Sequence, residues 1–371
     1  MTVRTDTRWD AAFWHQQIVA LPRARFLPDL IWPHDMSTRS ARAVDRRSDP
    51  DGWQAATRAD VPVVTQWDDG RHTGTEPGTT PTSSASMPSV VATMLEAADL
   101  APGQRVLEVG TGTGWTAGLM TRRLGDAAVT TMEVDPDVAA AAKNALGGTG
   151  LFPRMVVGDG LAGFPDGAPY DRLISTMGIR DIPAAWLEQV RPGGLIVTPW
   201  GTQYSNRDAL AVLTVNDKTT ATGLLLQQLE FMKARSQRHV HPAFAPDLTP
   251  VTDTTVEVDP SLFDRWHPFV FIAGLLLNDT THAVQQHDDG GRTLWLYALD
   301  GTAWTAALLR PEATTATIRQ VGQRRLWDEL TNAHTWWCQG GEPGFGRLGI
   351  TVTSTGWTAW IDTPDHPMSK S

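Results

Sequence analysis

Val106-Leu107-Glu108-Val109-Gly110-Thr111-Gly112-Thr113-Gly114 decides how this chain is read. The short apolar run at its start reads as a buried strand. The glycines that follow let the backbone turn sharply, take positive φ and come close to a ligand. The residues beyond them, to Leu124, read as a helix. Such a helix start presents unpaired N–H groups to a carboxylate or phosphate, and in open α/β sheets ligands bind at the carboxyl ends of the strands. Taken alone the loop is ambiguous, because Gly112, Gly114 and Ala117 also fit the G-x-G-x-x-A pattern of dinucleotide sites.

Outward from this stretch, strands are expected over 105–109, 127–133, 154–157, 170–175 and 194–199, alternating with helices over 88–100, 135–146 and 183–190. That alternation predicts a parallel sheet covered on both faces. Pro88 suits a first helical turn, with Ser86 as a candidate cap. Glu133 ends the strand after the glycine loop, where its carboxylate can hold ribose hydroxyls. Asp159-Gly160 ends the next strand, where an adenine edge can be read. A ribose acid is common to dehydrogenases and methyltransferases, but Glu108 together with Gly158-Asp159-Gly160 is the methyltransferase combination. The bland alternative is a structural strand–turn–helix with incidental acids.

The flanks are less regular. Residues 9–28 have helical spacing and end in Phe26-Leu27-Pro28. Residues 33–80 are rich in Asp, Arg, Thr, Gly and Pro, with one strand-like patch at 61–67; residues 74–86 read as a loop. After about 203, strands are expected at 209–215, 224–230, 293–298 and 302–308, an amphipathic helix at 318–334, and a closing hairpin from 348–353 and 357–362. The organisation expected is an N-terminal helical and loop segment (1–81), a core (82–204) and an α+β extension (205–371) that recognises a peptide.

Composition narrows the classes. Acidic residues outnumber basic ones, 41 to 31, for a net charge of −10, which argues against nucleic acid or an anionic membrane as partner. The single cysteine, Cys338, excludes a disulfide framework and a Cys-rich metal site, and reads as a small buried apolar residue. Residues 1–10 lack the apolar core of a signal peptide, and the longest apolar run, 269–277, is shorter than the ~20 residues a bilayer span needs, so a cytoplasmic protein is expected. His239 and His241 are spaced to share a strand face but have no third ligand nearby, so no metal is expected.

Several ordered motifs over about 82–201 resemble the protein-L-isoaspartate O-methyltransferase family. Ser84-Ala85-Ser86-Met87-Pro88 is similar to its Thr-Ile-Ser-x-Pro segment. Glu108 through Trp115 is similar to its cofactor loop, Val157-Gly158-Asp159-Gly160 to its adenine-side motif, and Leu21-Pro22-Arg23 to its N-terminal helix region. The resemblance implies a Rossmann-like fold that uses S-adenosyl-L-methionine and releases S-adenosyl-L-homocysteine. It implies Ser84 and Ser86 as catalytic residues, and Glu108, Gly110, Thr111, Gly112, Thr113, Gly114, Trp115, Glu133, Val134, Asp159 and Gly160 as cofactor-binding residues. The substrate expected is a peptide or protein carrying Asp or isoAsp.

Two features depart from the family's repair enzymes: Met177-Gly178-Ile179-Arg180-Asp181 replaces an alanine-rich run, and the chain continues well past the core. The end of the chain, 336–360, looks similar to actinobacterial relatives that modify ribosomally synthesised peptides such as graspetides or lanthipeptides. Tailoring of such a peptide, a macrocyclised precursor whose ester collapses to an aspartimide, is therefore the favoured expectation. Isoaspartyl repair is the alternative, and a non-catalytic peptide-binding protein a second one.

Overall fold

The computed structural model describes residues 11–35, 38, 40–238 and 253–368, and the chain falls into two compact units. Unit 1 comprises the described residues up to Met177, with Pro183–Thr198 and Val212–Ala221. Unit 2 comprises Gly178–Ile182, Pro199–Ala211 and the described residues from Thr222 onward. The boundary expected at 81/82 thus runs through unit 1, and that at 204/205 through unit 2.

Unit 1 begins with helix α1 (Ala11–Ala20) and a 3₁₀ turn, Arg23–Phe26. Strands β1 (Leu30–Asp35), β2 (Ser40–Ala41) and β3 (Val44–Asp45), helix α2 (Pro50–Arg58), and strands β4 (Val63–Trp67) and β5 (Pro81–Ala85) follow. They build a small antiparallel sheet in the order β2-β1-β4-β5, with β3 also on β1. Leu27, Ile31, Trp53, Val63 and Ala85 form its core, with Trp32, Val64 and Trp67 as a second cluster. Only β4 was foreseen. The apolar residues of β1 and α2 are scattered through a polar composition. The segment read as a loop at 74–86 ends in strand β5, whose inward positions are the small Ser83 and Ala85. Ser83 is buried, and its hydroxyl accepts from Thr65 Oγ1 at 3.1 Å.

The core continues with α3 (Pro88–Ala97), β6 (Val106–Val109), α4 (Trp115–Leu124), β7 (Val129–Glu133), α5 (Pro136–Gly147), β8 (Arg154–Val157), β9 (Tyr170–Ser175), α6 (Ala184–Gln189) and β10 (Val190–Trp200). The strands pair in parallel in the order β8-β7-β6-β9-β10. Consecutive strands therefore run outward in both directions from β6, and the topological switch point lies between β6 and β9, where such sheets bind ligands. Leu107, Leu119, Met120, Leu173, Ile174, Ile196 and Val197 are fully buried in the layers around this sheet. The N-terminal residues are built into the same core. A Cβ at Gly118 on α4 would lie 3.1 Å from both Leu21 and Phe26.

Strands β11 (Asp208–Asp217) and β12 (Thr220–Leu229) carry the chain across the division between the units. Unit 2 then contains β13 (Thr254–Glu257), α7 (Pro268–Leu276), β14 (Thr280–Gln286), β15 (Arg292–Ala298), β16 (Ala303–Leu309), β17 (Thr315–Gly322), α8 (Leu326–Gln339), β18 (Leu348–Thr353) and β19 (Gly356–Ile361). An antiparallel sheet in the order β13-β17-β16-β15-β14 packs against α8, which buries Leu326, Trp327, Leu330, Ala333 and Trp337 along one stripe. The hairpin read at 348–362 is β18 paired with β19. The helix read over 318–334 is corrected to a strand ending at Gly322 and a helix starting at Leu326. Ile318 and Gln320 alternate inward, and Gly322, at φ +97°, breaks the strand from the helix. The apolar run at 269–277 is α7, whose residues from Phe269 to Leu276 are all buried. No helix among the described residues is long and apolar enough to cross a membrane.

Unit 2 also holds a buried ion pair. Lys233 Nζ donates to both oxygens of Asp208 at 2.5 Å, with side-chain exposures of 5% and 0%. Gly201 makes room for it, since a Cβ there would lie 2.4 Å from Asp208 Oδ1. Removing one partner leaves the other charge buried alone, which costs about 3–5 kcal/mol. Asp208→Ala should lose that much in urea unfolding, and Asp208→Leu with Lys233→Met should regain most of it; a loss below ~1 kcal/mol in the single variant would contradict this account.

Candidate active site

At the carboxyl end of β6 the chain turns on glycines whose backbone N–H groups are all used. Gly110 and Thr111 donate to Met132 O at 2.9 Å, and Gly112 donates to Glu133 Oε2 at 2.9 Å. The other Glu133 oxygen accepts from the Asp135 N–H at 3.1 Å. Gly114 caps α4 at φ +87°, and a Cβ there would lie 3.2 Å from Ala142 on α5. The loop is thereby fixed to the end of β7 and pressed against the following helix. Asp135 caps α5 through Oδ1, and its Oδ2 accepts from Gln66 Nε2 at 3.1 Å. Gln66, on β4, was not singled out in the sequence. Its contact spans 69 residues, and no local pattern marks it.

Behind the loop, Thr111 Oγ1 and Thr131 Oγ1 lie 2.6 Å apart, and Thr131 donates to Glu108 Oε2 at 2.5 Å. This orients the chain as Thr111 to Thr131 to Glu108. Glu108 is fully buried, and its Oε1 has no hydrogen-bond partner among the described residues. Burial pushes its carboxyl up to about 8, against the Thr131 hydrogen bond and with help from nearby Glu133. The folded state therefore holds this proton, and its stabilising effect, complete below the unfolded pKa near 4.5, is lost as pH rises to about 8. Glu108→Gln cannot ionise. In urea unfolding its stability relative to the parent chain should rise by a few kcal/mol between about pH 5 and pH 8 and then level off. A pH-independent difference would show that Glu108 does not carry the shift.

At the next strand end, Asp159 is exposed, and its Oδ1 accepts from the Leu161 N–H at 3.0 Å. Gly160 is required by space, since a Cβ there would lie 2.2 Å from Val109. Its carbonyl accepts from the Trp186 indole at 2.9 Å. Val134, just after Glu133, is 45% exposed, unusual for an apolar residue at the end of a buried strand. Thr113 is half-buried in the loop. Across the switch point, Thr176 Oγ1 donates to the Gly110 carbonyl.

Trp115 is a correction to the sequence reading of its side chain. The indole is turned into the core and donates to Leu21 O at 2.8 Å, so only its main chain stands at the loop. The reading of Ser86 as a cap is also corrected. The N-cap of α3 is Met87 with no side-chain bond, and Asp60 Oδ1 instead accepts from the Ser89 N–H at 2.9 Å. Ser84 and Ser86 are half-buried, and neither hydroxyl bonds to another described residue. The Ser84 carbonyl lies against the loop, 3.5 Å from where a Cβ of Gly112 would stand. Cys338, read as buried, is exposed on α8, where its sulfur lies 3.6 Å from His334 Nε2. His239, His241 and residues 1–10 lie outside the described residues.

Comparison with known proteins gives one consistent result. The family described as Protein-L-isoaspartate(D-aspartate) O-methyltransferase matches residues 72–237. The protein-L-isoaspartate O-methyltransferase of Methanopyrus kandleri is 38% identical over 164 residues, covering 43% of this chain and 66% of that one. The one from Pyrococcus horikoshii is 42% identical over 134 residues, covering 36% and 60%. The chain thus spans 60–66% of the length of these relatives. A solved structure described as a protein-L-isoaspartate O-methyltransferase shares the fold, with a TM-score of 0.53 at 21% identity over 95% of both chains. The segment that carries the glycine loop and the acid-ended strands is the one that matches the protein-L-isoaspartate O-methyltransferase family.

Proposed function

We propose that this chain is an S-adenosyl-L-methionine-dependent O-methyltransferase that esterifies the free α-carboxylate of isoaspartyl residues in peptides and proteins. The observation that carries this reading is the glycine loop locked to Glu133 at the switch point, with the Ser84 main chain against it, its carbonyl 3.5 Å from where a Cβ of Gly112 would stand. The residues suit the cofactor. Both oxygens of Glu133 retain a free lone pair for ribose hydroxyls. The exposed Val134 offers an apolar flank for adenine, and Asp159-Gly160 its polar edge. The carboxylates of Glu133 and Asp159 at the two strand ends favour a cationic ligand.

When bound, S-adenosyl-L-methionine supplies an electrophilic methyl group and leaves as S-adenosyl-L-homocysteine. The protein's part is alignment. Ser84 and Ser86 donate hydrogen bonds that hold the substrate carboxylate in place. No general base is needed, because a carboxylate is already ionised at neutral pH. In the product, the following backbone nitrogen closes on the ester carbonyl, loses its proton and expels methanol, which leaves a succinimide for water to open.

The extension does not single out the tailoring reading, because a protein described as an isoaspartyl methyltransferase has the same fold over 95% of both chains. The two readings separate in one mass-spectrometric assay with S-adenosyl-L-methionine. It compares a short isoaspartyl peptide with a matched aspartyl peptide held in a macrocycle. Gain of one methyl on the isoaspartyl peptide is expected. Methylation of the constrained aspartyl peptide alone, followed by net loss of water, would replace this proposal with the tailoring one. Glu133→Ala should weaken cofactor binding at least ~10-fold in a direct titration. Ser86→Ala should lower kcat about 10- to 100-fold with cofactor affinity unchanged.

A further inference from the structure

Ser86 stands where neither strand nor helix holds the backbone. β5 ends at Ala85, α3 begins at Pro88, and proline has no N–H to give. Two side chains fix the junction from outside. Asp60 accepts from Ser89 on the helix side. On the strand side, Arg23 Nη1 donates to the Ser86 carbonyl at 3.1 Å.

Arg23 is only 2% exposed, and every N–H of its guanidinium is used. Nε donates to Thr57 O at 2.9 Å, and Nη2 to Ala56 O at 3.0 Å and Ala59 O at 2.7 Å. Nη1 donates to Val61 O at 2.7 Å as well as to Ser86 O. Three of these carbonyls close the C-terminus of α2, where a cation is favoured by the helix dipole. Burial lowers the guanidinium to about 10, with Asp60 opposing the shift, so it stays charged at neutral pH. The planar fork thus refers Ser86 to the rigid end of α2 and the start of β4. The Ser86 hydroxyl meanwhile has no partner among the described residues.

We propose that Arg23 is a positioning residue for methyl transfer, setting the main chain of Ser86 so that its unengaged hydroxyl meets the substrate carboxylate. This rests on the role given to Ser86 above. It adds a residue near the chain start that touches neither cofactor nor substrate. Lysine cannot replace it, since one ammonium with three donors cannot reach five carbonyls in a plane.

The test is a double-mutant cycle on the full chain with Arg23→Lys and Ser86→Ala, reading kcat and KM for an isoaspartyl peptide, cofactor affinity by titration, and circular dichroism. Arg23→Lys should lower kcat about 10-fold with cofactor affinity within about twofold. In the Ser86→Ala background it should lower kcat no further. An equal drop in both backgrounds, or a matching loss of cofactor affinity, would reduce Arg23 to a general scaffold and overturn the proposal. Arg23→Gln, which keeps two neutral donors, is the second variant; failure of both to reach the native fold assigns Arg23 to folding alone and also overturns it. If Ser86→Ala by itself leaves kcat intact, the serine's role falls first, and if the parent chain transfers no methyl to either peptide, the proposed activity falls.

Discussion

One main-chain hydrogen bond, from the Gly112 N–H to Glu133 Oε2, organises the ligand end of the sheet. It forms only if β6 and β7 lie side by side in parallel, in the register that sets Val109 opposite Met132. It also requires the loop to fold back at positive φ, which three glycines allow. Once the loop is held there, α4 starts from Gly114 pressed on α5, and the fold of the loop follows from the packing of two helices. Thr111 reaches back through Thr131 to Glu108, so the loop is tied from behind as well as in front. A side chain at Gly114 would meet Ala142, and one at Gly160 would meet Val109. Small residues are needed at these two strand ends for steric reasons before any ligand is considered.

The parallel core was legible because its elements carry their own signals. Strand β6 reads as a short apolar run, β7 and β9 recur after it at α/β spacing, and the helices between them have turns marked by glycine, proline or Asp135. The N-terminal sheet was not legible. Its strand β5 is Pro-Thr-Ser-Ser-Ala, a sequence with loop composition that becomes a strand through pairing with β4. Tertiary context overrode propensity there. The 318–334 misreading has the opposite cause. Apolar residues on β17 and α8 happen to continue one helical spacing across Gly322, and only the positive φ of that glycine separates them.

In the site, the legible residues are those that sit at strand ends: Glu108, Glu133, Asp159 and the glycines. What escaped sequence reasoning is what holds them. Thr131, Gln66 and Asp60 act across separations of 23, 69 and 29 residues and lie in no motif; Arg23 stands in the Leu21-Pro22-Arg23 stretch, but nothing local shows that it reaches Ser86, 63 residues on. Trp115 illustrates the converse error. It occupies a motif position, yet its indole is a core side chain that donates to the Leu21 carbonyl.

These supports also explain why a motif-level match understates how much of the chain makes the site. The family match begins at residue 72, but the groups that hold Ser86 and Asp135 lie earlier: Arg23, Asp60 and Gln66. They belong to the 3₁₀ turn after α1, the turn after α2, and β4. Arg23 makes five hydrogen bonds to backbone and none to a side chain, so its partners can change identity without loss of the contact. A change in these elements that moved Ser86 would leave the glycine loop and Glu133 untouched, because their hydrogen bonds lie within the parallel core. The glycine loop is thus fixed by the parallel core, and the main chain of Ser86 by side chains that precede the matched segment.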